Sequence, residues 1–224
     1  MFITVPTCAD AHQGELGHPA NDATPGWRQR WDAIPEPKIC AGDMTELIQF
    51  PDMPRWQRVP TTIDGNHDRG ACGRRDLIIG DTLWIHGDQL DPWLVKWVGR
   101  PITRIIGLVE WFWPDVDVRF GQWCQKHGKG GRYGEFGRYA RKAVALAKSR
   151  RRADGGPIRQ VVFGHLHQLA ECDLEGVHVV CCGCCCNDHL DIVPITVEVT
   201  GTHPEPRRTG GGPRPARRCR QRSV

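Results

Sequence analysis

No apolar run in these 224 residues approaches the roughly 18 needed to cross a bilayer, so no membrane span is expected. The opening Met-Phe-Ile-Thr-Val-Pro lacks a basic stretch followed by a long apolar one, so no secretory signal is expected either. A disulfide framework is also missing. The eleven cysteines are an odd number, and five crowd into Cys181-Cys182-Gly183-Cys184-Cys185-Cys186. Without export, the expected location is a reducing cytoplasm, with thiols free, buried or metal-bound. The body lacks excess positive charge as well. Seven arginines against one glutamate put +6 into residues 201–224, and the chain totals +4, which leaves −2 on residues 1–200. A nucleic-acid-binding core is therefore not implied. The Pro-, Gly- and Arg-rich segment 201–224 reads as a disordered tail.

What remains suits a soluble domain with a sizeable core: 39% hydrophobic residues and a mean hydropathy of −0.46. Strands are expected over residues 2–9, 38–41 and 58–63. Leu77–Ile79 and Thr82–Ile85 read as a hairpin around Gly80-Asp81, and Val161–Phe163 reads as a further strand. Strands 169–173, 177–182 and 192–199 look like a β-meander. Helices are expected over Trp27–Ile34 and Glu135–Arg152, the latter with Phe136, Tyr139, Ala143, Leu146 and Ala147 near one face. Residues 89–156 read as a helical cap inserted into a domain covering residues 1–200.

Five short motifs follow the strand ends in order. They are Asp10-Ala-His12, Gly42-Asp43-Met-Thr-Glu46, Gly65-Asn66-His67-Asp68, His86-Gly87-Asp88 and Gly164-His165-Leu-His167. In open α/β sheets, ligands gather beyond the carboxyl ends of strands. Asp10 with His12, and His165 with His167, share i, i+2 spacing on extended chain, so each pair can turn toward one pocket. Carboxylate, imidazole and amide oxygen donors together suit divalent ions. Two such ions about 3.5–4 Å apart can clamp both the attacking and the leaving oxygen of a phosphoryl displacement.

The ordered set resembles that of the calcineurin-like metallophosphoesterases, over roughly residues 2–200. The resemblance implies an α/β fold, a four-layered α/β/β/α sandwich with a helical cap insertion. It implies that Asp10, His12 and His167 hold one metal, that Asn66, His86 and His165 hold the other, and that Asp43 bridges them. A water activated by the ions would attack phosphorus. His67 would protonate the leaving oxygen or donate to the phosphate without ligating metal, and Asp68 would hold it oriented. Glu46 and Asp88 would stand behind the ligands. Manganese is favoured among manganese, iron, zinc, nickel and cobalt.

The His86-Gly87-Asp88 form followed by an insert resembles the UDP-2,3-diacylglucosamine pyrophosphatase branch. That implies an apolar lid from Trp93, Trp97, Ile105, Ile106, Leu108, Trp111 and Phe112, with peripheral membrane contact possible through it. Arg100, Arg104, Arg138 and Arg141 would meet phosphates. The same aromatics also suit plain packing of helices onto the sheet. The expected substrate is a phosphodiester or pyrophosphate, or a nucleotide or nucleic acid held by the basic tail. The rivals are a metal-binding scaffold without turnover and a cysteine-based redox or metal-storage module. For the cysteine run, buried thiols are one reading, and a soft-metal site of Cys172, Cys182 and Cys184 is the other.

Overall fold

The structure, a computed structural model, describes residues 1–13, 23–45, 61–68, 72–91, 105, 109, 131–186 and 188–199. Eight strands and two α-helices are placed among them. In chain order these are β1 (Phe2–Cys8), α1 (Trp27–Asp32), β2 (Ile39–Cys40), β3 (Asp76–Ile79), β4 (Thr82–Ile85), α2 (Gly131–Ser149), β5 (Gln160–Phe163), β6 (Leu169–Leu174), β7 (Val177–Cys182) and β8 (Val193–Glu198). A 3-10 turn, Asp88–Leu90, follows β4.

The strands form two sheets, ordered β2-β1-β8 and β3-β4-β5-β7-β6. β1 and β2 run parallel, as do β4, β5 and β7. Side-chain alternation on each strand separates three apolar layers. Between the sheets lie Val5, Ala9, Ile39, Trp84, Val162, Val180, Ile195 and Val197. The Trp84 indole N–H donates to Thr7 Oγ1 across this layer, at 3.3 Å. On the outer face of the five-stranded sheet, Leu83, Ile85, Val161, Phe163, Val177, Val179 and Cys181 pack against α2. On the outer face of the three-stranded sheet, Cys8 and Cys40 pack against Trp27 and Trp31 of α1. The order α, β, β, α is thus the four-layered sandwich expected from sequence. β4 is covered on both faces, which explains its unbroken Thr-Leu-Trp-Ile run.

α2 buries Phe136, Tyr139, Ala140, Ala143, Val144 and Ala147, a stripe at helical spacing. It begins at Gly131 rather than Glu135, although Gly134 inside it costs about 1 kcal/mol against alanine. The stretch read as a cap therefore delivers its last helix to the body of the sandwich. Residues 92–104, 106–108 and 110–130 of that stretch lie outside the described residues, and with them Arg100, Arg104 and every expected lid residue except Ile105, as do Glu46 and the basic tail. Ile105 is 60% exposed.

Two expectations are corrected. Residues 169–199 do not form a meander. β6 and β7 make a hairpin, but β8 crosses to the other sheet and pairs antiparallel with β1 from Phe2↔Glu198 to Thr7↔Val193. Residues 61–63 carry no strand; Ile63 and Thr62 instead donate backbone N–H groups to Cys40 O. Residues 58–60 lie outside the described residues.

Candidate metal centre

β1, β2, β4, β5 and β7 all end at one rim. The residues that follow each end are Asp10, Asp43, His86, His165 and the cysteine run. The chain turns sharply there. Asp10, His12, Asp43, His165 and His167 all have positive φ, between 49° and 69°. Non-glycine residues rarely adopt this left-handed region, and such strain concentrates at functional sites. Backbone bonds knit the turns together. Asp10 N–H donates to Gly42 O and His12 N–H to Asp43 O, both at 3.0 Å, while His165 N–H donates to Asp10 Oδ2 at 2.7 Å.

Two of the motif glycines are dictated by close approach. A Cβ on Gly65 would lie 1.9 Å from Asp43 Oδ1, and one on Gly164 would lie 2.3 Å from Asp10 Oδ2. Neither place admits a side chain.

The ligand atoms converge. Asp10, His12 and His167 offer donors within 4.8 Å of one another, and so do Asp43, His86 and His165. Asp10 Oδ1 stands between the sets, 3.6 Å from His167 Nε2 and 3.9 Å from both His12 Nε2 and His86 Nε2. Asp43 Oδ2 lies 3.0 Å from His86 Nε2, and its Oδ1 accepts the His67 N–H at 2.7 Å. His86 Nδ1 sits 3.0 Å from Ala41 O. A carbonyl only accepts, so Nδ1 carries a proton, and Nε2 faces the Asp43 carboxylate, where either a proton or a metal ion can sit.

The buried atoms left without a hydrogen bond suit such an ion. Among the described residues they are Asp10 Oδ1, Asn66 Oδ1, His86 Nε2 and Asp88 Oδ1. The first three belong to residues assigned to metal by motif. Such atoms are costly unless a partner arrives. The donor set of carboxylate, amide oxygen and imidazole fits divalent ions.

Without an ion, protons do part of this work. Burial disfavours charge on His86, but Asp43 and Asp10 outweigh it and hold the imidazole up to about 10. Burial likewise opposes charge on Asp43, yet His86 and His67 keep it well below the usual carboxylate range. Burial raises Asp10, and Asp43 adds to the rise. Burial pushes His167 well down, helped by His12 and His165, so its ring is neutral and ready to ligate.

Asp68 is an anchor of the site. Its carboxylate accepts from the backbone N–H groups of Asp43, Met44, Thr45 and Gly65, at 2.7–3.0 Å, and from Thr45 Oγ1. Burial and the Asp43 charge lift it to about 6. The bond pattern shows it fixing the loop that carries Asp43. His67 itself is half-buried, with its ring 4.9 Å from that of His12. A nitrogen of His67 also comes within ligand reach of His12 and Asp43, which the sequence reading did not anticipate.

Asp88 pairs with Arg75, whose guanidinium also donates to Asp64 O at 2.8 Å and Gly65 O at 3.1 Å. Arg75 thereby ties the third motif to the fourth. Arg138 and Arg141 are exposed on α2, and Arg138 stacks 5.9 Å from the Tyr139 ring centre.

The sequence reading missed two neighbours. Asp91 Oδ2 lies 3.1 Å from His165 Nε2, and the Tyr139 hydroxyl donates to the other Asp91 oxygen. A lone aspartate three residues past a motif gives no signal of this. The cysteines of the run are buried thiols, and the alternative set of Cys172, Cys182 and Cys184 is not assembled. Cys182 points between the sheets, Cys181 points toward α2, and Cys172 is half-buried on β6. Instead Cys184 and Cys186 gather at His167.

No protein-family model matches the sequence, and no curated protein matches it. Solved structures do share some of its shape. A conserved uncharacterised protein from Streptococcus pneumoniae, described as a predicted phosphoesterase, has a TM-score of 0.41 and 13% identity, covering 88% of this chain and 84% of that one. A Vps29 double mutant from Entamoeba histolytica has a TM-score of 0.40 and 14% identity, covering 89% and 87%. Vacuolar Protein Sorting 29 from Cryptosporidium parvum has a TM-score of 0.34 and 14% identity, covering 82% and 75%. No helix among the described residues is long and apolar enough to cross a membrane.

Proposed function

We propose that this chain is a metal-dependent phosphoester hydrolase, of the kind its motifs resemble, acting on a phosphodiester or pyrophosphate. The observation that carries the reading is the convergence of donor atoms from Asp10, His12 and His167 and from Asp43, His86 and His165 at one rim, with Asp10 Oδ1 buried and without a hydrogen bond. Asp10, His12 and His167 would hold one divalent ion, Asn66, His86 and His165 a second, and Asp43 would touch both. Manganese is the favoured occupant. Bound ions would supply Lewis acidity at the phosphoryl oxygens and acidify a nearby water.

The chain's own groups do the rest. Asp68 holds the Asp43 loop by four hydrogen bonds, so the shared carboxylate stays put as charge develops. His67, half-buried at the rim and electrostatically paired with Asp43, gives a proton to the leaving oxygen. Arg138 and Arg141 stand exposed on α2 and would meet further phosphates of a larger substrate.

The test is hydrolysis of bis-p-nitrophenyl phosphate with added manganese. Asp43→Ala should abolish turnover. His67→Ala should lower kcat by roughly 10²–10⁴-fold with metal content unchanged. A second reading has its own observation: the His12, Asp43 and His67 group could make His67 a ligand rather than an acid. Loss of one metal equivalent in His67→Ala would favour it. Wild-type protein that binds metal yet hydrolyses no phosphate ester would sink the enzyme reading.

A further inference from the structure

Cys184 and Cys186 are 1% and 0% exposed, and donor atoms of both lie within 4.8 Å of each other and of one from His167. The His167 ring faces two ways. Its Nε2 lies 3.1 Å from His12 Nε2 and 3.6 Å from Asp10 Oδ1, while its Nδ1 lies 3.7 Å from Cys186 Sγ. Hard and borderline donors thus stand on one edge of this imidazole and thiols on the other.

The thiol side is held firmly. The Cys184 N–H donates to Asp191 Oδ2 at 3.1 Å, and Asp191 N–H returns to Cys184 O at 2.9 Å. Cys185 N–H donates to Ala9 O and Asp10 O, both at 3.2 Å, and Cys186 forms a bridge with Ala23. The turn runs through Gly183 at φ 76°, where a Cβ would lie 2.1 Å from Asp191 Oδ2. The loop therefore presents Cys184 and Cys186 on the same side, with the intervening Cys185 turned into the α1 layer.

We propose that Cys184 Sγ, Cys186 Sγ and His167 Nδ1 form a separate soft-metal site for one thiophilic ion of the zinc class. Two thiolates and an imidazole are the donors such an ion selects, and manganese does not. The site stands on residues that the hydrolase reading does not use, except that His167 serves both. When both edges are loaded, the His167 ring becomes a bridge between unlike ions. Binding releases a proton from each thiol to solvent, and when both edges are loaded the ring also gives up its remaining N–H proton and becomes an imidazolate; no oxidation is involved.

Two measurements on the reduced full-length chain decide this. Titration with cobalt(II) should produce a sulfur-to-cobalt charge-transfer band that saturates at one equivalent of thiolate-bound metal. The band should be lost completely in the Cys184→Ser/Cys186→Ser double variant and kept in Cys172→Ser and in Asp43→Ala. X-ray absorption of wild-type protein carrying one equivalent of cadmium should count two sulfur ligands, which needs no variant to fold. Absence of the band, its survival in the double variant, or any other sulfur count overturns the site. Retention of the band in Asp43→Ala alongside lost hydrolysis would separate this site from the hydrolytic centre. A wild type with the band and no hydrolysis would leave this site standing while removing that reading.

Discussion

Asp91 shows how much a single side chain can add to a ligand set. It faces His165 Nε2 at 3.1 Å and receives the Tyr139 hydroxyl on its other oxygen. A carboxylate behind a ligating imidazole fixes ring orientation and raises ligand basicity. Asp91→Ala should therefore weaken manganese binding by about 10–100-fold, read by calorimetric titration, with the fold intact by circular dichroism. Unchanged affinity would show that the contact is incidental. At this scale the sequence reveals donors by type and order. Asp10, Asp43, His86 and His165 converge as expected because each sits just past a strand that shares the rim. It does not reveal Asp91 or the pairing of Cys186 with His167. Those contacts arise where separate loops meet in space, and no local pattern encodes them.

The elements succeed in placing these loops because two sheets are clamped face to face. Trp84 is fully buried between them and bonds Thr7 across the gap. Trp84→Ala should destabilise the fold by about 3–5 kcal/mol in urea unfolding, through lost burial and the cavity left behind. A loss below about 1 kcal/mol would mean that the sheets are held chiefly elsewhere. Strand and helix identities were legible from period: α2 from its stripe of Phe136, Tyr139, Ala143 and Ala147, and the β3–β4 hairpin from the Gly80-Asp81 turn. Pairing partners were less so. In β8, Ile195 and Val197 are buried while Pro194 and Thr196 are exposed. That alternation states that one face is covered but not which sheet covers it, so the crossing to β1 could not be read.

For the molecule as a whole, the rim couples folding to protons and metal. In the metal-free fold Asp43 and Asp10 hold His86 up to about 10, against an ordinary value of 6.5. A raised value means that folding favours the charged ring. This stabilisation is complete below about pH 6.5 and fades as pH rises toward 10. Metal-stripped protein should therefore lose Tm across that window. Manganese should raise Tm, and by more at pH 8.5 than at pH 6.5, because the ion competes with the proton for the same nitrogen. A metal-induced shift equal at both values would contradict the assignment of His86.

The pairing of β8 with β1 has a practical outcome at the same scale. It sets Val199 beside Met1, whose amino group donates to Val199 O at 3.1 Å. Both lie at the start of β1, and the rim lies past its end. Seven residues at about 3.4 Å each put roughly 20–25 Å between them. An affinity handle, fluorophore or surface tether joined at Met1 thus attaches at the pole opposite the rim that carries the donor residues. The protein can be immobilised there with that rim turned toward solvent.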